Sequence, residues 1–204
     1  MILPDPLPLV LEEAPDESLS SWLNRHAEFY GIAPSALSHR VGIGRLAFAG
    51  LDHRLNESEA RTLASAMRRS PTSISNMTHL QHQDRLMAMI GRGGEPVHAC
   101  SECRQRNRRD NQATATMKSW SHGWRITCPL CGSRLQDVDG GKAYPPADAF
   151  EHLWDEAWRG EELIANIDLL PADRAALGAV AFVAFASVAR PHGYPTANRA
   201  RQSA

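Results

Sequence analysis

The sequence lacks an apolar run of membrane-spanning length. The longest, "AALGAVAFVAFASVA" at 175–189, has 15 residues, some of them small or polar; a spanning helix needs roughly 18. There is also no basic residue before Arg25, and the opening "MILPDPLPLVLEEAPDE" is rich in acids and prolines. That is the wrong flank for a secretory signal, so the expectation is a cytoplasmic protein without a membrane partner. No G-x-x-x-x-G-K-[ST] loop occurs, and "GIG" at 42–44 reads as a turn, not a phosphate cradle. His26, His39, His53, His79 and His82 are scattered without a paired carboxylate pattern. Acid–base catalysis therefore has no visible constellation, and the chain is not expected to be an enzyme. The net charge of −1 excludes a bulk attraction to nucleic acid.

Cysteine is scarce as well, and its placement is informative. All 4 cysteines lie in "HACSECRQRN" at 98–107 and "TCPLCGSRLQ" at 127–136. Cytoplasmic thiols stay reduced, so structural disulfides are not expected. Each Cys-x-x-Cys puts two sulfurs at one tight corner. Two corners brought together give the tetrahedron that binds zinc at about 2.3 Å. Cys100, Cys103, Cys128 and Cys131 are therefore the expected ligands of one structural zinc per chain. Pro129 and Gly132 supply the turn of the second corner. A redox Cys-x-x-Cys needs a βαβ setting that the surrounding sequence does not suggest; an iron–sulfur cluster is the minor alternative. A closed four-thiolate site has no open position for water. It replaces a core that about 40 residues are too few to build. His98 and His122 are spare ligands, read as surface residues.

The rest of the chain is mainly helical in pattern. Hydrophobic residues make up 43% and charged residues 22%, a globular balance. Pro4, Pro6, Pro8 and Pro15 make residues 1–15 an extended arm that floats or lies on a surface. Over 15–31, capped by Asp16 or Ser18, residues Leu19, Trp22, Leu23, His26, Phe29 and Tyr30 recur at three- and four-residue steps and share a face. Trp22 on that stripe reads as core. Gly31 suits the helix end, and 33–42 gives a second short helix. Asn56 and Glu59 form a capping box for a helix over 56–70, with Ala60, Leu63, Ala64 and Met67 inward; a short helix restarts after Pro71. Helix–turn–short helix thus occurs twice, as in helix-turn-helix units.

"GRGGEP" at 91–96 and "DGGK" with "YPP" over 139–146 read as joints. They divide the chain into an arm and helix-turn-helix-like domain at 1–92, a zinc ribbon at 97–138 and a C-terminal helical segment at 146–190. The last is expected as helices over 147–159, 161–168 and 172–189. On this division the ribbon stands alone. Losing one of its thiols should unfold it while the first 80 residues keep their helicity.

Charge is uneven. Arg85, Arg92, Arg104, Arg106, Arg108 and Arg109 face only Glu95 and Glu102 between 85 and 109, whereas 146–174 is acidic. "RQRNRR" at 104–109 reads as a loop suited to phosphates. Trp120, His122, Trp124 and Ile126 alternate as on a strand. Trp120 and Trp124 either stack on bases or, the favoured reading, roof the zinc core. Arg25 falls off the core stripe and is free to contact a partner.

Residues 15–37, "PDESLSSWLNRHAEFYGIAPSAL", resemble the opening of the TniQ family, with Glu17, Ser18, Leu19, Ser21, Trp22, Leu23 and Arg25 matching its "E-S-L-x-S-W-L-x-R" helix. "SISNMTHL", ending in a Met-Thr turn, and the later "C-P-L" corner are similar to that family too, so the resemblance covers about residues 4–136. It implies an adaptor of transposition target selection. Such a protein links target recognition, in CRISPR-linked systems by a guide-RNA effector complex, to a AAA+ ATPase. The implied partners are that ATPase and DNA, with room for a homodimer. A sequence-specific DNA-binding regulator is the alternative.

Overall fold

The computed structural model describes residues 5–44, 48, 50–80, 96–109, 115–139, 142–144 and 152–165. The chain divides into two compact units, Met1–Pro146 and Ala147–Ala204. The architecture is mainly helical, with a small sheet beside the four cysteines.

The first unit begins with the arm. Residues 5–14 have no regular structure, as Pro6 and Pro8 favour, yet they are held at several points. The Leu7 amide donates to Ala66 O at 2.8 Å, Trp22 Nε1 donates to Leu11 O at 3.0 Å, and the Tyr30 hydroxyl donates to Leu9 O at 2.6 Å. Leu7 is buried in the core of the helices. The arm lies on a surface.

Helices α1 (Leu19–Phe29) and α2 (Pro34–Arg40) are joined through Gly31, whose φ of 64° is left-handed and inexpensive only for glycine. Then follow α3 (Leu51–Arg54), α4 (Glu57–Ala66) and α5 (Pro71–Asn76). The capping box of α4 forms as read: Asn56 Oδ1 accepts from Glu59 N at 2.9 Å, and Glu59 Oε2 accepts from Asn56 N at 3.0 Å. Its inward residues Ala60, Leu63, Ala64 and Met67 are buried. Sequence periodicity did not reveal α3, a single turn whose Leu51 is buried. Trp22, Leu23, Leu37, Val41, Phe48, Leu51, Leu63, Met67 and Ile74 share one core. Each such large side chain, fully buried, contributes roughly 1.5–3 kcal/mol. One member of the expected α1 stripe departs from it: Phe29 is 53% exposed, whereas His26 is buried and Tyr30 packs against the core.

The first turn of α1 is a junction. A helix leaves its first four amides without partners of its own. Here Ser18 N donates to Thr116 O, Leu19 N to Met77 O, Ser20 N to Asp52 Oδ1 and Ser21 N to Ser18 Oγ. Ser18, not Asp16, is the cap. Asp52 is buried, which pushes its carboxyl above the usual range, while its bonds from the Ser20 hydroxyl and amide oppose that.

The cysteine module belongs to the same unit. It comprises β1 (His98–Ala99), α6 (Ser101–Arg109), a 3-10 turn (Lys118–Ser121), β2 (Gln136–Asp139) and β3 (Lys142–Tyr144). The strands form an antiparallel sheet in the order β1-β2-β3, with Ala99 opposite Gln136 and Val138 opposite Ala143. Three readings are corrected here. Residues 104–109 are helix, not loop, because Ser101 opens a turn that the arginines, good helix formers, continue. Trp120 and its neighbours form a 3-10 turn, not a strand, and Trp120 folds onto the thiol core. Asp139 and Lys142 pair across a hairpin, so part of the expected joint is sheet.

In the second unit, α7 (Trp154–Ala165) runs through Gly160, where a break between two helices was expected. Ala157, Glu161 and Ile164 are its buried face, at steps of four and three. The apolar run at 175–189 and the joint at 91–95 lie outside the described residues. Among the described residues no helix is long and apolar enough to cross a membrane.

His26 offers a direct test of how the arm is held. Its Nδ1 is 2.8 Å from Trp22 O, and its Nε2 accepts the Leu11 amide at 3.0 Å. Both bonds form only with a neutral ring carrying its proton on Nδ1. Burial, the largest cause, lowers its pKa below 6.5; Arg25 and Arg69 push the same way, against the Trp22 carbonyl and Glu17. The unfolded chain therefore takes up the proton first as pH falls. The stability this residue contributes is complete above pH ~6.5 and is lost as pH falls from there through the folded pKa. Urea unfolding across pH 5–8 should show that slope in the wild type and a flatter one in His26→Gln.

Candidate metal centre and contact surfaces

The four cysteines converge. Cys100 stands just before α6 and Cys103 lies in its first turn, where Cys103 N donates to Cys100 Sγ at 3.5 Å. A helix N-terminus favours a thiolate there. The second corner sits on a hairpin. Thr127 bridges Arg134, Cys128 N donates to Ser133 O at 2.8 Å, and Gly132 N donates to Cys128 O at 2.8 Å. Gly132 turns the chain with φ of 73°. The hairpin is short because "CPLCG" supplies a proline and a glycine at the two places where the turn needs them.

All four sulfurs lie within 4.8 Å of one another, and all four cysteines are free thiols. Cys100 to Cys131 is 3.4 Å, Cys103 to Cys128 is 3.7 Å and Cys103 to Cys131 is 3.8 Å. Four sulfurs about 2.3 Å from one zinc stand about 3.8 Å apart. The donor set fits zinc in both chemistry and spacing. Burial pushes the Cys100 thiol up to about 11 and raises Cys103 further. Cys131 is also raised by desolvation, but bonds with Ser133, Cys100 and Cys128 bring it down to about 6. A bound cation would draw all four into the thiolate form.

Around the thiols, Ala115, Met117, Trp120 and Leu135 close a small core. Trp120 and Trp124 are 0% and 3% exposed. Neither presents a face on which a base could stack: Trp120 packs in the thiol core, and Trp124 is buried against His122. Arg104, partly buried, lies over Trp120 with Cζ 5.9 Å from the ring centre, a cation–π contact of about 1 kcal/mol. Arg106 on α6 is exposed; Arg108 and Arg109 are its last two residues. The spare histidines go elsewhere. His98 Nδ1 is 3.0 Å from Asp137 Oδ1, and His122 stacks on Trp124 with ring centres 4.5 Å apart.

Arg25 is also corrected. Its guanidinium grips buried Glu17 with Nε to Oε1 and Nη2 to Oε2, both 2.7 Å, and Nη2 also donates to Glu12 O at 2.7 Å. Its side chain is 14% exposed. It serves the interior, because Glu17, buried beside α1, requires a counter-charge. Sequence spacing found the residue but not its partner, which sits outside the helix.

Residues 8–159 of the 204-residue chain match the TniQ family. The chain belongs to that family. The match extends beyond the first unit and into α7. No curated protein and no solved structure matches the chain. TniQ proteins are associated with Tn7-like transposition, as an accessory family and not a known enzyme family.

Two outcomes follow from this geometry. Arg25→Ala leaves Glu17 charged and buried, so it should cost about 3 kcal/mol of unfolding free energy, read from chemical denaturation. Metal analysis of the purified chain should give one zinc and no iron, and Cys128→Ser should abolish stoichiometric binding.

Proposed function

We propose that this TniQ protein is a transposition target-selection adaptor acting in the cytoplasm, with one structural zinc held by Cys100, Cys103, Cys128 and Cys131. It links target-site recognition, by DNA or by a CRISPR guide-RNA complex, to a AAA+ ATPase that recruits the transposase. The observation that carries this reading is the family match over residues 8–159. The buried thiol cluster supports it. Four protein ligands leave no coordination position for a substrate, so the site would stiffen a surface instead of performing chemistry.

The nucleic-acid contact of this reading falls on α6. Arg104, Arg106, Arg108 and Arg109 lie within one nine-residue helix, whose carrying module the zinc would hold in place. Phosphates are the natural counter-ions of such a cluster. Arg104 is partly spent on Trp120, which leaves Arg106 the cleaner probe.

The alternative, a regulator reading one DNA sequence, draws support from the two helix–turn–short helix units. Against it, α5 carries no basic residue, and α2 carries only His39 and Arg40 in its last turn.

Co-purification with the ATPase encoded beside it, in the presence of DNA and ATP, tests the adaptor reading, and absence of binding contradicts it. Arg106→Glu should weaken nucleic-acid binding several-fold and lower its salt dependence by about one counter-ion, with thermal stability unchanged. Tight binding of a single duplex by the protein alone would favour the regulator.

A further inference from the structure

We infer that the cysteine module and the N-terminal helices form one metal-locked cooperative unit, in which holding the ion fixes the first turn of α1. The inference rests on the zinc assignment and is independent of the role in transposition. It departs from the expectation of a ribbon that can unfold alone.

The seam is residues 116–119. On one side they are tied to the start of α1. Ser18 N donates to Thr116 O at 3.0 Å, and Thr116 N donates to Ser21 Oγ at 2.8 Å. Glu17 bridges Met117 in antiparallel fashion. Lys118 N donates to Asp16 O at 2.6 Å, and Ser119 N donates to Asp16 Oδ2 at 3.1 Å. Lys118 Nζ reaches Asn76 O at 2.7 Å. On the other side, Met117 and the adjoining Trp120 are buried with Cys100, Cys103 and Cys128. The same short stretch therefore carries both the helical contacts and the roof of the thiol cluster.

A second contact lies beside it. The rings of His53 and His79 stack with centres 4.8 Å apart, His79 meets His122 at 5.3 Å, and His122 stacks on Trp124 at 4.5 Å. Four aromatic rings pass from α3 to the module.

A module of this size has too little apolar core to stay ordered without its staple. When Met117 and Trp120 lose their packing, residues 116–119 lose their position. Ser18 N and the Asp16 carboxylate then lose their partners, and Ser21 Oγ keeps only its bond to Glu17. Ser18 is buried, and a buried amide is costly to leave unpaired. Coupling of this kind is reciprocal: substitutions at the seam must weaken the hold on zinc, although they touch no sulfur.

The test uses the full zinc-loaded chain. Hydrogen exchange is followed at residues 18–23 before and after chelation. Transfer of zinc to a chromogenic chelator is timed in Ser21→Ala, in Asp16→Gly and in Arg61→Ala. Glycine suits position 16 because Asp16 has φ of 59°, so this variant removes the carboxylate without straining the backbone. Arg61 pairs with Glu57 on the exposed face of α4, and serves as control. Chelation should speed exchange at 18–23 at least tenfold. Ser21→Ala and Asp16→Gly should release zinc about 5- to 150-fold faster, and Arg61→Ala at the wild-type rate. If Ser21→Ala does not fold, Asp16→Gly decides. Unchanged exchange after chelation, or wild-type zinc release from Asp16→Gly, overturns the inference while leaving the zinc assignment intact. A chain purified without zinc overturns both.

Discussion

The structure depends on how the free amides at the start of α1 are satisfied. Helices of this length gain little from propensity alone and are held by what surrounds them. Here the surroundings meet at one turn. The Thr116 carbonyl comes from the cysteine module, the Met77 carbonyl from the end of α5, the Asp52 carboxylate from α3, and the Ser18 hydroxyl from α1 itself. Each acceptor fixes the position of a different segment. The core of Trp22, Leu23, Leu51, Leu63 and Ile74 supplies the drive to compact. The amide partners decide which compact arrangement results.

The string Glu17-Ser18-Leu19-Ser20-Ser21-Trp22-Leu23-Asn24-Arg25 then has a physical reading. Leu19, Trp22 and Leu23 are core. Ser18 caps, Ser20 binds Asp52, and Ser21 receives the Thr116 amide while bonding Glu17. Glu17 also accepts the Ala14 amide and carries the charge that Arg25 neutralises. Asn24 is exposed. Buried polar groups of this kind are specified by their partners, and the partners are spread over more than 100 positions of chain: Ser119 reaches back to Asp16 across 103.

That separation explains what the sequence did and did not disclose. Helices α1, α4 and α5 were legible because caps, glycines and apolar steps are local signals. So was the thiol cluster, since Cys-x-x-Cys spacing encodes its own geometry. Arg25 was misread because its partner lies outside the helix whose periodicity was being followed. Trp120 and Trp124 were given a strand because alternation over a few residues does not distinguish a strand from a turn folded onto a core. The helical state of 104–109 was hidden by its charge, which says little about backbone conformation. The seam at 116–119 had no local mark at all. Most of its ties are made by backbone groups, and no residue type announces them.

The distance between Ser21 and Thr116 has a temporal meaning as well. A ribosome adding 5–20 residues per second emits Thr116 about 5–20 s after Ser21, from which it is 95 positions distant. Throughout that interval the nascent opening helix exists without the segment that completes its first turn. Vectorial synthesis thus leaves the amino-terminal half provisional until both sulfur corners have emerged, and its final shape is set by residues made well after it.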